Sequence, residues 1–390
     1  MNFRESTQRR RWLFTPEKLA AADASAADVD SETSAGSRLA LSQFPAVHEE
    51  LQLVKFCEAQ VQSMCQEIPL PRKVLGTALQ YLKRFYLSHS TLDHDPQYMA
   101  VTCMYLACKI EDCYRSAAEL EKRTNAHQDI LLKYELLLLE GLNFDFIVFT
   151  PYRAIEGLLE DIAACRRAAG VNGMTGSSTS RAPGGYPVDP SSVDEGLLPL
   201  TDEQMAKART YAYLAADALM LTDAPLLYTP GQLALAACRS GFSKVGVRLR
   251  KVVDRVARQA AAGSNGDSSS EDDMQQQTQQ LQQVLAALDV LGAEGSKKVE
   301  KEQFDEIYAR LKACRSLNAG AAKKAAAEKA KARAEKQQRK AEKLREMKQQ
   351  QEAALGLVPV QQALPGQQEQ DGATTGAQPP AKRARPSEPF

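Results

Sequence analysis

The chain has 390 residues, 44% of them hydrophobic and 25% charged, with 49 basic side chains against 49 acidic ones. That length holds two ordinary domains with tails, and the zero net charge excludes a uniformly basic or acidic protein while leaving room for polarised segments. No apolar run reaches the roughly 18 residues of a membrane span, and the start MNFRESTQRRRWLF lacks the apolar stretch of a secretory signal, so no membrane contact is expected.

Residues 1–44 read as a basic start, RRRWLF, a helix opened by Thr15 as N-cap with Pro16 and Glu17 in its first turn, and a small-residue loop over 25–43. Residues 45–150 form the first expected domain, with helices over 47–67, 71–88, 96–110, 116–124 and 127–142 and almost no period-two alternation. The second helix places Leu75, Ala78, Leu79, Leu82 and Phe85 on one side and Lys73, Gln80, Lys83 and Arg84 on the other, an amphipathic pattern. The third is apolar all round from Met99 to Cys108 and is expected at the centre of its bundle. Lys109 interrupts the end of that run, where a cation suits the helix dipole. Glu135 lies in the leucine-rich fifth helix, KYELLLLEGLNF, where an acid is costly unless it is paired or at a polar interface. A Lys–Glu pair on the rim of two packed helices would offer hydrogen-bonding groups to a partner.

A second domain is expected over 151–292, with a Gly/Ser/Pro-rich insertion at 168–199 and a polar one at 263–277, and with a helix at 278–291. Its YLAADALML…TPGQLALAACRS parallels YLKRFYL…DPQYMAVTCMYLACK of the first, Pro230 aligning with Pro96, which suggests an internal duplication. A further helix is expected at 300–318. Residues 319–351 carry eleven Lys or Arg against four Glu, with hardly an apolar side chain larger than alanine. They suit a solvated helix capable of weak, non-specific contact with nucleic acid. Residues 352–390 read as disordered, and Lys382, Arg383 and Arg385 in PPAKRARP read as a nuclear-import signal, which places the protein in the nucleus.

Catalytic patterns are missing. The four histidines have no ligand partner one helical turn away, the eight cysteines form no CxxC pair, and Cys103, Cys108 and Cys113, five residues apart, point to different sides of a helix. No GxSxG, phosphate-loop or kinase catalytic-loop string occurs. The residues therefore read as an all-α interaction module with two similar halves, not an enzyme, and no cofactor is expected.

MYLACKIED at 104–112, followed by YELLLLEGLNFDFIVFTPYR, resembles a cyclin box. STQRRRWLFTPEKL, LPRKVLGTALQYLKRFYLSHS, HDPQYMAVTCMYLACKIED and ALMLTDAPLLYTPGQLALAA together resemble the cyclin family, and within it the cyclins of the CDK-activating kinase. The resemblance implies two tandem five-helix cyclin-box repeats with flanking N- and C-terminal helices and a disordered C-terminal tail. It implies that Lys109 and Glu135 pair and contact a kinase, with Leu106, Ile110, Leu136, Leu139, Phe144 and Phe146 as apolar kinase-facing positions. It also implies activation of a cyclin-dependent kinase that phosphorylates activation loops and the RNA polymerase II C-terminal repeat, a RING-finger assembly subunit, and membership of general transcription factor IIH. Mediator-type or elongation-type cyclins, and a nucleic-acid-binding adaptor on the same fold, are the alternatives. The basic stretch VRLRKVVDRVARQ after Gly246 departs from what the resemblance leads one to expect.

Overall fold

The structure, a computed structural model, describes residues 2–22, 45–124, 126–171, 193–262, 271–295 and 300–316. All belong to one compact unit, Met1–Ala322. The expected basic helix at 319–351, the tail 352–390 and the import signal with Lys382, Arg383 and Arg385 lie outside the described residues, as does most of the loop at 25–43.

The described residues form helices and contain no strand. After a 3₁₀ turn come α1 (Thr7–Arg11) and α2 (16–22). The first repeat follows as α3 (Val47–Glu67), α4 (Arg72–Tyr86), α5 (Pro96–Ile110), α6 (Ala117–Thr124) and α7 (Gln128–Gly141). The second comprises α8 (Pro151–Val171), α9 (Asp202–Met220), the short α10 (Ala224–Leu227), α11 (Pro230–Ser243), α12 (Arg250–Ala262) and α13 (Glu271–Gly295), and α14 (301–316) ends the described chain.

The aligned prolines do the same job in the two halves. Pro96 opens α5 behind the N-cap Asp95, whose carboxylate accepts the Gln97 N–H, and Pro230 opens α11 behind Thr229, which forms a capping box with Gln232. A proline at this position forfeits no helical hydrogen bond, and its fixed φ suits the first turn. Both helices are buried along most of their length and run through the middle of their repeats.

Three expectations need correction. The polar side of α4 does not face water: Gln80, Lys83 and Arg84 are all buried. Each polar head finds a distant partner, Lys83 the Glu58 carboxylate of α3 at 2.7 Å, Gln80 the Pro225 carbonyl at 3.2 Å and Arg84 the Asp145 carbonyl at 3.3 Å. Burial pushes the Glu58 carboxyl up to about 7 even with Lys83 beside it. The insertion expected at 168–199 is shorter, because α8 continues to Val171 and Val193 and Leu197 are buried in the core. Asp194 there accepts the N–H groups of Arg250, Lys251 and Val252 and so caps α12. The insertion expected at 263–277 is also shorter, since α13 already begins at Glu271.

Both ends of the described chain hold the first repeat. Gln8 is buried and exchanges two hydrogen bonds with the Phe149 backbone, while Trp12 donates its indole N–H to Asp145 at 3.0 Å and lies 5.1 Å from the Arg84 guanidinium. At the other end Phe304 of α14 stacks on Phe56 of α3, ring centroids 3.9 Å apart. Tyr308 donates to the Asp95 carboxylate at 2.9 Å, and Arg315 reaches the same carboxylate at 2.5 Å and the Leu92 carbonyl at 3.0 Å. Asp95 thus caps α5 and anchors α14 at once.

Candidate partner-binding face

The candidate site is built where α5 and α7 pack side by side. The leucines of α7 divide between two faces. Leu131 and Leu138 are buried, as is Leu142 just beyond the helix, whereas Leu132 and Leu136 are exposed. Leu132, Glu135, Leu136 and Leu139 follow i, i+3, i+4, i+7 spacing and so line one outward stripe.

Lys109 ends α5 opposite that stripe. Its ammonium donates to Glu135 Oε1 at 2.7 Å and lies 4.2 Å from the centre of the Tyr105 ring. The Lys109 side chain is 31% exposed and that of Glu135 16%, a rim position. Burial disfavours the lysine's charge, but the hydrogen bonds to Glu135 and Tyr105 outweigh it and hold its pKa above the ordinary lysine value. Lys109 therefore keeps its proton near neutral pH, and the pair keeps unused lone pairs and protons at its solvent side.

The chain leaving α7 adds the aromatic part. Asn143 and Phe144 both adopt positive φ, 49° and 58°. The Phe144 N–H bonds back to the Leu139 carbonyl at 3.1 Å, closing the helix end. A left-handed conformation is unfavourable for an aromatic residue; here it turns the ring outward, 61% exposed, against the edge of Phe146 at 5.9 Å. Asp145 points inward to Trp12 and Arg11, and Ile147 outward again, 48% exposed.

The expected residues thus separate. Lys109 and Glu135 pair; Ile110, Leu136 and Phe144 are exposed; Leu139 and Phe146 are half-buried. Leu106 is a correction: it is buried in the core and packs inside the bundle instead of facing a partner. Sequence reasoning passed over Leu132, Ile147 and Tyr114, all exposed, and Tyr105 under the lysine. The i, i+4 relation of Leu132 to Leu136 was the available signal for the first. Among the described residues no cluster of His, Cys, Asp or Glu has the geometry of a metal site, and no helix is long and apolar enough to cross a membrane.

A bundle of two helical repeats carrying a charged pair in an exposed apolar frame has relatives among known proteins. The model of the cyclin N-terminal domain matches residues 52–147, and that of the cyclin C-terminal domain matches 150–319. Cyclin-H1-1 of Arabidopsis thaliana is 37% identical over 274 residues, which cover 63% of this chain and 72% of the relative. The chain belongs to the cyclin H family. Two solved structures share this cyclin fold. A chain of the CAK complex from Chaetomium thermophilum bound to ATP-gamma-S matches with a TM-score of 0.57 at 21% identity, covering 80% of this chain and 88% of that one. A chain of the yeast TFIIK (Kin28/Ccl1/Tfb3) complex matches with a TM-score of 0.51 at 22% identity, covering 73% of this chain and all of that one. Among the described residues, the α5–α7 pair and the turn after it carry most of the exposed large apolar side chains of the first box.

Proposed function

We propose that this cyclin is the regulatory subunit of a cyclin-dependent kinase of the CDK-activating type, which it binds through the α5–α7 face and thereby activates. The observation that carries the reading is the Lys109–Glu135 pair, 2.7 Å across, flanked by exposed Ile110, Leu136, Phe144 and Ile147. Isolated exposed apolar side chains are ordinary, but a group of them around a hydrogen-bonding centre has the composition of an interface core with polar registration. The chain's membership of the cyclin H family sets the class of partner.

Activation then follows from differential affinity. A surface that fits one arrangement of the kinase better than another shifts the kinase population toward the fitted arrangement. Driving that equilibrium from 1:99 to 99:1 takes about 5.5 kcal/mol of preference. Burying the remaining exposed area of four large apolar side chains, at roughly 1–2 kcal/mol each, supplies about 4–8 kcal/mol, the same order, where the fitted arrangement alone makes the contact. The pair's part is to fix register, because a partner group hydrogen-bonding to either member must arrive in one orientation.

The complete assembly in this proposal includes a RING-finger assembly subunit, places the complex in general transcription factor IIH in the nucleus, and supports phosphorylation of activation loops and of the RNA polymerase II C-terminal repeat. The test is co-purification of the full chain with candidate kinase subunits, followed by phosphorylation of an activation-loop peptide and a polymerase repeat peptide. Glu135→Ala and Lys109→Ala should each weaken kinase binding, and their double-mutant cycle should show coupling of about 1–3 kcal/mol. Additive effects would remove the pair from the interface. Binding to a mediator-type or elongation-type kinase instead would move the function within the family, and box-dependent DNA binding without kinase binding would replace the proposal with the adaptor reading.

A further inference from the structure

The second repeat contains a groove that the α5–α7 face does not involve. It lies between α9, α11 and the last turns of α13 and encloses about 750 Å³, within the range of sites that accept a drug-sized ligand or a peptide side-chain cluster. Small residues make the space: Ala215 and Ala218 on α9, Ala236 on α11, and Gly292 and Ala293 on α13. The floor is apolar, with Leu219 and Leu288 buried beneath it and Leu214 at its edge 51% exposed.

The rim is cationic for a reason visible in the backbone. After α11 the chain turns at Gly246, φ +87°, a conformation suited to glycine. It then runs extended into α12, where side chains alternate: Val247 and Leu249 are buried, and Arg248 and Arg250 are exposed. Lys244, at the end of α11, stands 5.8 Å from the Tyr211 ring at the same mouth. Among the described residues, Lys244, Arg248 and Arg250 form no ion pair. The acid at the rim, Asp289, is engaged by Arg239 of α11. Three cations without an ion pair therefore edge an open slot with an apolar floor. This is the basic stretch that departs from the family resemblance, so it needs an account that kinase binding does not supply.

We propose that this groove docks an acidic protein segment that inserts one or two bulky apolar side chains between α9 and α13 and sets carboxylates against Lys244, Arg248 and Arg250. Charge complementarity selects an acidic partner, and the apolar floor selects a peptide over a nucleic acid, whose backbone has nothing to place there. The acidic residues that open α13, Glu271 to Asp273, are not the occupant: Gly292 lies about 30 Å further along that helix at 1.5 Å per residue. The proposal is independent of the kinase reading and stands or falls separately.

The probe is a synthetic peptide of alternating Asp/Glu and Leu/Phe with a photo-crosslinking phenylalanine analogue at one apolar position, titrated against the full chain by fluorescence anisotropy. Binding should fall as salt rises. R248E/R250E should weaken binding at least 10-fold. Gly292→Met should weaken it comparably without altering charge; the first carbon of the new side chain is accommodated, because a Cβ at Gly292 meets Leu219 at an ordinary 3.5 Å. Crosslinks should map to 211–219 or 288–293. Binding unchanged in both variants would overturn the proposal. So would an equally charged oligonucleotide that binds with the same dependence on Arg248 and Arg250 and no dependence on Gly292, since that result assigns the cations to phosphates.

Discussion

Glu58→Gln tests the reasoning about the buried face of α4 most sharply. The Lys83 and Glu58 side chains are each 3% exposed and their charged atoms lie 2.7 Å apart. Burial raises the Glu58 carboxyl from the ordinary carboxylate range to about 7, with Lys83 pulling the other way. A raised pKa means that the fold holds the neutral carboxyl better than the carboxylate, and an amide imitates that neutral form while its oxygen still accepts the Lys83 hydrogen bond. The loss at pH 7 should therefore be about 1 kcal/mol or less, well under the roughly 3–5 kcal/mol of breaking a fully ionised buried pair. The same shift sets the sign with pH: the contribution of Glu58 is full below the ordinary carboxylate value and is lost as pH rises through 7, so the wild type should weaken between pH 5 and pH 8 and the variant should lack that dependence. Urea unfolding followed by circular dichroism at the two pH values measures both. A loss of about 3 kcal/mol or more at pH 7, or the same pH dependence in both proteins, would refute the argument. Replacing both partners, Glu58→Leu with Lys83→Met, should also cost little, because desolvation then disappears with the charges.

Other perturbations follow from the same structure. Gly141→Ala places a methyl group 2.7 Å from the Phe85 ring, so α7 must shift; a loss of about 1–3 kcal/mol in urea unfolding is expected, together with weaker kinase binding through the displaced Glu135. Trp12→Phe removes the indole donor to Asp145 and should cost about 1–2 kcal/mol, read as faster proteolysis within the first 22 residues. Native thiol labelling should find Cys113 the quickest of the eight cysteines, since it is half-buried while the other seven are buried and burial raises the thiols of Cys57, Cys65, Cys103 and Cys108. Equal labelling of all eight would contradict the packing described here.

The parts of the fold legible in the sequence are those controlled by local signals. α5 spans Pro96–Ile110 as expected, because Asp-Pro at one end and a cation at the other mark the boundaries within the segment itself. The Lys109–Glu135 pair was reachable for a related reason: an isolated charge in each of two apolar runs has few other places to go. Lys83 and Arg84 were misplaced because a polar stripe reads as solvent-facing, and the partners that bury them, Glu58 and Asp145, are 25 and 61 residues away. The outward place that the resemblance implies for Leu106 does not survive packing: every side of α5 is apolar at that depth, and periodicity cannot rank the faces of such a helix. Phe144 follows from the resemblance alone, because its exposure comes from two left-handed residues that no local pattern announces. The early start of α13 escaped notice because EDDMQQQ offers helix propensity without an apolar stripe.

The anchoring of α14 on Asp95 has a consequence in time. Tyr308 and Arg315 lie 213 and 220 residues after the N-cap they complete. At ribosomal rates of about 5–20 residues per second, roughly 10–45 s separate the synthesis of α5 from that of its last partners. During that interval the central helix of the first repeat has its cap carboxylate without the tyrosine and arginine that later bind it, and the stacking surface of Phe56 is open. The long-range closure is slow to form by contact order as well. A chain truncated before residue 308 therefore retains every helix of the first repeat in its sequence yet leaves its central capping site incomplete, so the cap of α5 is finished only by a helix made after the second repeat.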